Sequence, residues 1–165
     1  MIIRRRSAAW IWLLLVALLF LPEPVHSEQH NPVQKLELDR FKKKVGGDGH
    51  FLLVFMAAWC APCIKELPDL NALYAKYRAN GLKMVGVSVD FDGPSAMQPI
   101  VDRLKVDFPI FWLGEEALDA YGISGIPLLI FIRNGLEVEK VVGLHSKAFF
   151  ADKIEAFLTM PQGSR

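Results

Sequence analysis

The segment Phe51-Leu52-Leu53-Val54-Phe55-Met56-Ala57-Ala58-Trp59-Cys60-Ala61-Pro62-Cys63 decides how this chain folds. Residues 51–56 form an unbroken apolar run, which suits a strand buried on both faces. Shortly after it come the only two cysteines of the 165-residue chain. Two residues separate them, so one helical turn can bring their sulfurs together. Ile64, Leu67, Leu70, Leu73, Tyr74 and Tyr77 then recur at helical spacing, with Lys65, Glu66, Asp69, Lys76 and Arg78 largely between them. This pattern predicts an amphipathic helix, bent at Pro68 because proline removes an intrahelical hydrogen bond, and stopped at Asn80-Gly81. Leu82 to Val89 alternates and is rich in valine, which reads as a second strand. Strand, helix and strand make a βαβ unit with parallel strands.

Upstream, Asp39 is placed to cap a short helix through Val45, ended by Gly46-Gly47-Asp48-Gly49. Downstream, the stretch from Asp90 to Gly122 is too apolar for a loop. It predicts a helix around Pro99 to Lys105, an apolar piece Phe108 to Leu113 and a short helix Glu115 to Tyr121. Two β-prone runs, 128–132 and 136–142, flank Arg133-Asn134-Gly135, and Asn-Gly in that setting signals a hairpin. A last helix starts at Ser146 as N-cap and puts Phe150, Ile154, Phe157 and Leu158 on one face.

The length suits one domain with a core large enough to stand without staples. A disulfide across two intervening residues closes a very small loop, so it adds little as a structural clamp. Arg4-Arg5-Arg6 followed by the uncharged apolar residues 8–21 reads as an export segment, too short for an ordinary span of ~20 residues. Residues 1–27 are therefore expected to be a signal peptide cleaved after Ser27, or an uncleaved membrane anchor tethered through residues 8–21. Either reading places the domain outside the cytoplasm, in the periplasm or an equivalent compartment. Residues 28–37 read as a flexible leader, 38–160 as the folded domain and 161–165 as a tail. Without residues 1–27 the chain carries 16 basic and 17 acidic residues, which leaves no basic field for nucleic acid. One close cysteine pair in an exported chain points to redox catalysis.

These features together resemble the thioredoxin arrangement. Trp59-Cys60-Ala61-Pro62-Cys63 matches its Trp-Cys-x-x-Cys, Pro68 its kinking proline, and Gly125-Ile126-Pro127 the segment holding its cis-proline. Within that family the chain is most similar to the exported TlpA-like branch, which includes the membrane-tethered reductases of cytochrome c maturation. Cys63-Ile64-Lys65-Glu66-Leu67-Pro68, Val85-Gly86-Val87-Ser88-Val89-Asp90 and the extra helix-strand piece before Pro127 carry that likeness. The resemblance implies an α/β thioredoxin fold, with a central mixed sheet flanked by helices and a TlpA-like helix-strand insertion. It implies a protein-disulfide oxidoreductase acting through a Cys60–Cys63 disulfide, with no soluble cofactor. Its partners would be protein thiols and disulfides and a transmembrane electron donor. Two departures matter: where thioredoxin has a buried aspartate six residues before the first cysteine, this chain has Val54, and Gly125-Ile126-Pro127 does not carry the fuller acidic motif after the cis-proline that marks some cytochrome c maturation members.

Cys60, at the helix start, would have its thiolate favoured by unpaired backbone N–H groups and the macrodipole, making it the attacking sulfur. Cys63, one turn further in, would resolve the mixed disulfide. Pro62 occupies the first turn, where its missing N–H costs nothing. Trp59 is either a contact wall beside the sulfurs or a plain core aromatic. With Val54 unable to take a proton, Glu66 is the candidate acceptor when Cys63 attacks; the alternative is a solvated glutamate complementing the helix dipole. Pro127, cis by resemblance, is expected to face the sulfurs, with the Ile126 backbone pairing with an extended substrate. Zinc needs four ligands, and His26, His30, His50 and His145 show no ligand spacing, so no metal site is expected. A second function class, a copper-binding chaperone using the same cysteines, would need a third ligand, for which His145 and His50 are the candidates.

Overall fold

A computed structural model describes residues 31–160. The expected export segment, the start of the leader and the tail lie outside the described residues. The apolar run forms β2 (His50–Met56), and every residue from Phe51 to Met56 is buried. Burying each such Leu, Phe or Met contributes about 1.5–3 kcal/mol, so the strand has one stable place, the middle of the sheet. Around it the chain adds β1 (Gln34–Lys35), α1 (Leu38–Val45), α2 (Ala61–Tyr77), β3 (Leu82–Ser88), α3 (Pro94–Leu104), β4 (Ile110–Trp112), α4 (Glu116–Ala120), β5 (Leu128–Arg133), β6 (Leu136–Val142) and α5 (Lys147–Thr159).

The sheet order is β1-β4-β3-β2-β5-β6. β2, β3, β4 and β1 run parallel, while β5 and β6 are antiparallel to their neighbours. This is the expected mixed sheet, with α3 and β4 as the inserted helix-strand piece that widens it. The hairpin turns at Asn134 and Gly135, both at positive φ, the pairing a tight two-residue turn requires. Ser146 caps α5 by accepting a hydrogen bond from the Phe149 N–H, and Phe150, Ile154 and Phe157 are buried.

Three local expectations need correcting. Glu37, not Asp39, occupies the N-cap position of α1, and Asp39 lies in the first turn, where its charge favours the helix dipole. α3 begins at Pro94 rather than near Pro99, because Gly93 at φ 83° turns the chain and Pro94 is preset for a first helical turn. Residues 31–37, expected as flexible leader, include strand β1 and are tied down. The Asn31 amide donates to the Val106 and Phe108 carbonyls at 2.7 and 2.8 Å, and Gln98 accepts from the Val33 N–H at 2.7 Å.

Gly86 lies on β3 between Val54 of β2 and Ile110 of β4. A Cβ there would sit 2.4 Å from Met56 Cε and 2.9 Å from Ile110 Cγ1, so the close approach of these side chains needs glycine. Gly86→Ala is expected to cost about 1–3 kcal/mol by overpacking, read as a lower urea midpoint at unchanged slope. A wild-type midpoint would show that Met56 and Ile110 have room to move.

Candidate active site

The end of β2 delivers the dithiol through the short loop Ala57–Trp59. That loop is pinned by its own backbone and by one buried carboxylate. The Cys60 N–H donates to Ala57 O at 3.1 Å, and the Val89 N–H donates to Met56 O at 3.0 Å. Asp90, 1% exposed at the end of β3, accepts from the Ala58 N–H at 2.8 Å and from the Ser88 hydroxyl at 2.7 Å. A buried carboxylate is tolerated when its oxygens are satisfied in this way. Asp90 thus fixes the approach to Cys60 from 32 residues away in sequence. Its role was not read from the chain, although an aspartate closing the apolar run Val85–Val89 was a usable signal.

Cys60 is the N-cap of α2, and its sulfur accepts from the Cys63 N–H at 3.3 Å. The two sulfurs are joined in a disulfide, 2.01 Å long, with both residues nearly buried. Pro62 follows in the first turn and is exposed. The site therefore has the asymmetry its chemistry needs. Cys60 sits at the positive end of a helix, where backbone donors favour a thiolate, and Cys63 is carried inward by the first turn.

Glu66 lies one turn beyond Cys63, on the face of α2 that buries Cys63, Leu67, Leu70, Leu73 and Tyr77. It is 2% exposed, and neither carboxylate oxygen has a hydrogen-bond partner among the described residues. The solvated alternative for this residue is thereby overturned. Burial pushes its pKa from 4.5 up to about 8, because the charged form loses its hydration and receives nothing in return. At neutral pH most of these carboxyl groups hold their proton. Val54 is 1% exposed in the strand beside them and offers no proton-accepting group.

Trp59 is 57% exposed and stacks on Phe91, which is 62% exposed, so it is not a core aromatic. The Phe91 partner was not foreseen, because stacking across separate loops leaves no local pattern. The Ile126–Pro127 bond is cis, with Pro127 buried and Ile126 half-buried. Leu128 pairs with Phe55, so the chain enters β5 at the same end of the sheet at which β2 hands over to the dithiol. His50, the other candidate ligand residue, opens β2 at the opposite end. Six residues along a strand place it roughly 20 Å from Met56. His145 lies before α5, stacked on Phe149, with a ring nitrogen 3.0 Å from Val142 O. Among the described residues no group of three His, Cys, Asp or Glu side chains is placed to hold a metal ion.

Residues 26–141 match the AhpC/TSA family. The thiol-disulfide oxidoreductase ResA of Bacillus anthracis is 31% identical over 127 residues, which span 76% of this chain and 68% of that protein. ResA of Halalkalibacterium halodurans is 31% identical over 119 residues, spanning 72% and 65%. Among solved structures, a Chlorobium tepidum thiol:disulfide interchange protein, DsbE, aligns with TM-score 0.64 at 28% identity, covering 72% of this chain and 84% of its own. StoA of Bacillus subtilis, at 23% identity and TM-score 0.57, shares the fold.

The carboxyl group of Glu66 also sets a pH dependence of stability. Its folded pKa lies above the ordinary value, so between these two values the folded chain holds a proton that the unfolded chain releases. Stability contributed by this group is full below about pH 4.5 and is lost as pH rises through about 8, up to roughly 3 kcal/mol of it by pH 7. Glu66→Gln cannot ionise. The variant should match the wild-type disulfide form in urea unfolding near pH ~4 and exceed it near pH ~8. A difference that does not change with pH would show that Glu66 ionises normally.

Proposed function

The chain belongs to the AhpC/TSA family, within its thioredoxin-like fold, and from that premise we propose that it is an exported thiol-disulfide oxidoreductase that reduces protein disulfides through Cys60 and Cys63. One observation carries the reading. A dithiol capping a helix N-terminus lies one turn from a buried carboxyl group whose only evident cost is instability. The relatives named thiol-disulfide oxidoreductase and thiol:disulfide interchange protein support the same activity.

The placement of Cys60, Cys63 and Glu66 along α2 supports the following steps. In the reduced protein the Cys60 thiolate attacks one sulfur of a substrate disulfide, and the other substrate sulfur leaves as a thiolate. A mixed disulfide through Cys60 results. Cys63 then gives its proton to the Glu66 carboxylate and attacks the Cys60 sulfur, which expels the second substrate sulfur. The substrate gains two electrons and, from Glu66 and solvent, two protons; Cys60 and Cys63 return to the disulfide seen here. Burial raises the Glu66 pKa to about 8, so its carboxylate is a stronger proton acceptor than an ordinary solvated one. Trp59 and Pro62 form the exposed surface beside the sulfurs, and the backbone at Ile126 before Pro127 pairs with an extended substrate segment.

Residues 1–27 deliver the domain outside the cytoplasm, as a signal peptide or an anchor, and residues 38–160 are the catalytic domain. Reduction in that compartment requires electrons passed across the membrane by a partner protein, which re-reduces the disulfide. The copper-chaperone alternative has no support from the geometry. Among the described residues the candidate third ligands are His50, at the far end of β2, and His145, whose ring is stacked on Phe149.

Cys63→Ala should trap substrates as mixed disulfides on Cys60, identified by mass spectrometry after alkylation in the native compartment. Apocytochrome c among them would place the protein in haem attachment, and an absence of any mixed disulfide would sink the oxidoreductase reading. In stopped-flow measurements of the resolving step, wild type should speed up with pH through about 8. Glu66→Gln should run about 100-fold slower at neutral pH and close that gap only as Cys63 ionises by itself. An unchanged pH profile would remove Glu66 from the mechanism.

A further inference from the structure

Beside the dithiol the surface carries two exposed aromatic rings in parallel contact. Trp59 and Phe91 have centroids 5.9 Å apart and planes within 8°. Phe91 also lines an open cleft of about 310 Å³. Its walls come from the β1–α1 junction, the end of β3 and the β4–α4 junction, and they are tied to one another. The Trp112 indole N–H donates to Asp90 O at 2.7 Å, and the Leu36 N–H donates to Trp112 O at 3.2 Å. Asp90, the same residue that pins the dithiol loop, therefore sits between that loop and the cleft.

The charge around the cleft is one-sided. Glu37, Glu115 and Glu116 are exposed on its rim against a single cation, Lys35, whose ammonium lies over the Trp112 ring 5.2 Å from its centroid. None of the three carboxylates is in an ion pair among the described residues. An acidic segment would be repelled here, and an apolar one would leave the rim unanswered.

We propose that the Trp59–Phe91 platform and this cleft are a docking surface for a basic segment of the protein substrate. An arginine or lysine side chain of that segment lies against the aromatic faces and pairs with Glu37, Glu115 and Glu116. A guanidinium suits both halves of the surface, since it stacks on aromatic rings and forks onto carboxylates. Because Trp59 adjoins Cys60, the surface selects substrates with basic residues near the reacting cysteine. Complementary charge of this kind also raises the rate of encounter and weakens with salt. The identity of the partner as a disulfide substrate rests on the oxidoreductase reading, whereas the charge preference of the surface does not.

The test uses the full-length chain and two dye-labelled peptides that carry serine in place of cysteine and differ only in flanking arginines or flanking glutamates. Fluorescence anisotropy should show the arginine peptide binding at least about fivefold more tightly at low ionic strength. The difference should shrink at ~0.5 M salt, and it should vanish in the triple variant Glu37→Gln, Glu115→Gln, Glu116→Gln. Phe91→Ala should weaken binding of the arginine peptide alone. Equal affinities, or a preference that survives the triple variant, would overturn the proposal. Reduction of the uncharged hydroxyethyl disulfide by the reduced chain is followed in parallel, because it reads the dithiol without the cleft. A chain inactive in that assay but selective for arginine keeps the docking surface and loses the oxidoreductase reading.

Discussion

The double burial of β2 is the constraint on which the rest depends. A strand with six consecutive buried apolar residues must lie between two neighbours and beneath cover on both faces. Its parallel pairing with β3 obliges the chain to cross over through a helix, and the start of that helix is where Cys60 and Cys63 stand. The position of the dithiol is thus a consequence of core packing. Asp90 refines it from beyond the end of the neighbouring strand by accepting from the Ala58 N–H in the loop that leads to Trp59 and Cys60.

Glu66 shows what such packing can do to a single group. The face of α2 that turns toward the core carries Cys63 and Leu67, and Glu66 turns inward with them. Nothing there accepts or donates a hydrogen bond to its carboxyl group, so its ionisation moves to the range of a thiol. Burial of this carboxyl group destabilises its charged form, which costs the fold stability as pH rises. Val54, buried in the central strand, brings no second carboxyl group into this part of the core.

The two sides of the site are built differently. Toward the core it is buried and apolar, with Cys63 and Glu66 on the inward face of α2. Toward solvent it is aromatic and acid-rimmed, with the Trp59 loop and the cleft tied together through the Asp90 carboxylate and the Trp112 indole N–H.

Much of this was legible in the sequence, wherever the signal is local. The apolar run 51–56, the cysteine spacing, Asn134-Gly135 and the Ser146 cap each act within a few residues, and each appears as expected. The Ile126–Pro127 cis bond was legible only through resemblance, since local statistics favour trans. What the chain could not announce are groups brought together from far apart. β1 is held by Asn31 through carbonyls 75 and 77 residues away, Ala58 by Asp90 across 32, and Trp59 by a ring on another loop. Sequence alone determined a close dithiol at a strand-to-helix junction with Glu66 one turn on, and its motifs gave the thioredoxin-like arrangement by resemblance. Only the tertiary structure decided that Glu66 is buried and, among the described residues, without a hydrogen-bond partner, because the burial of a carboxyl group depends on what packs over it.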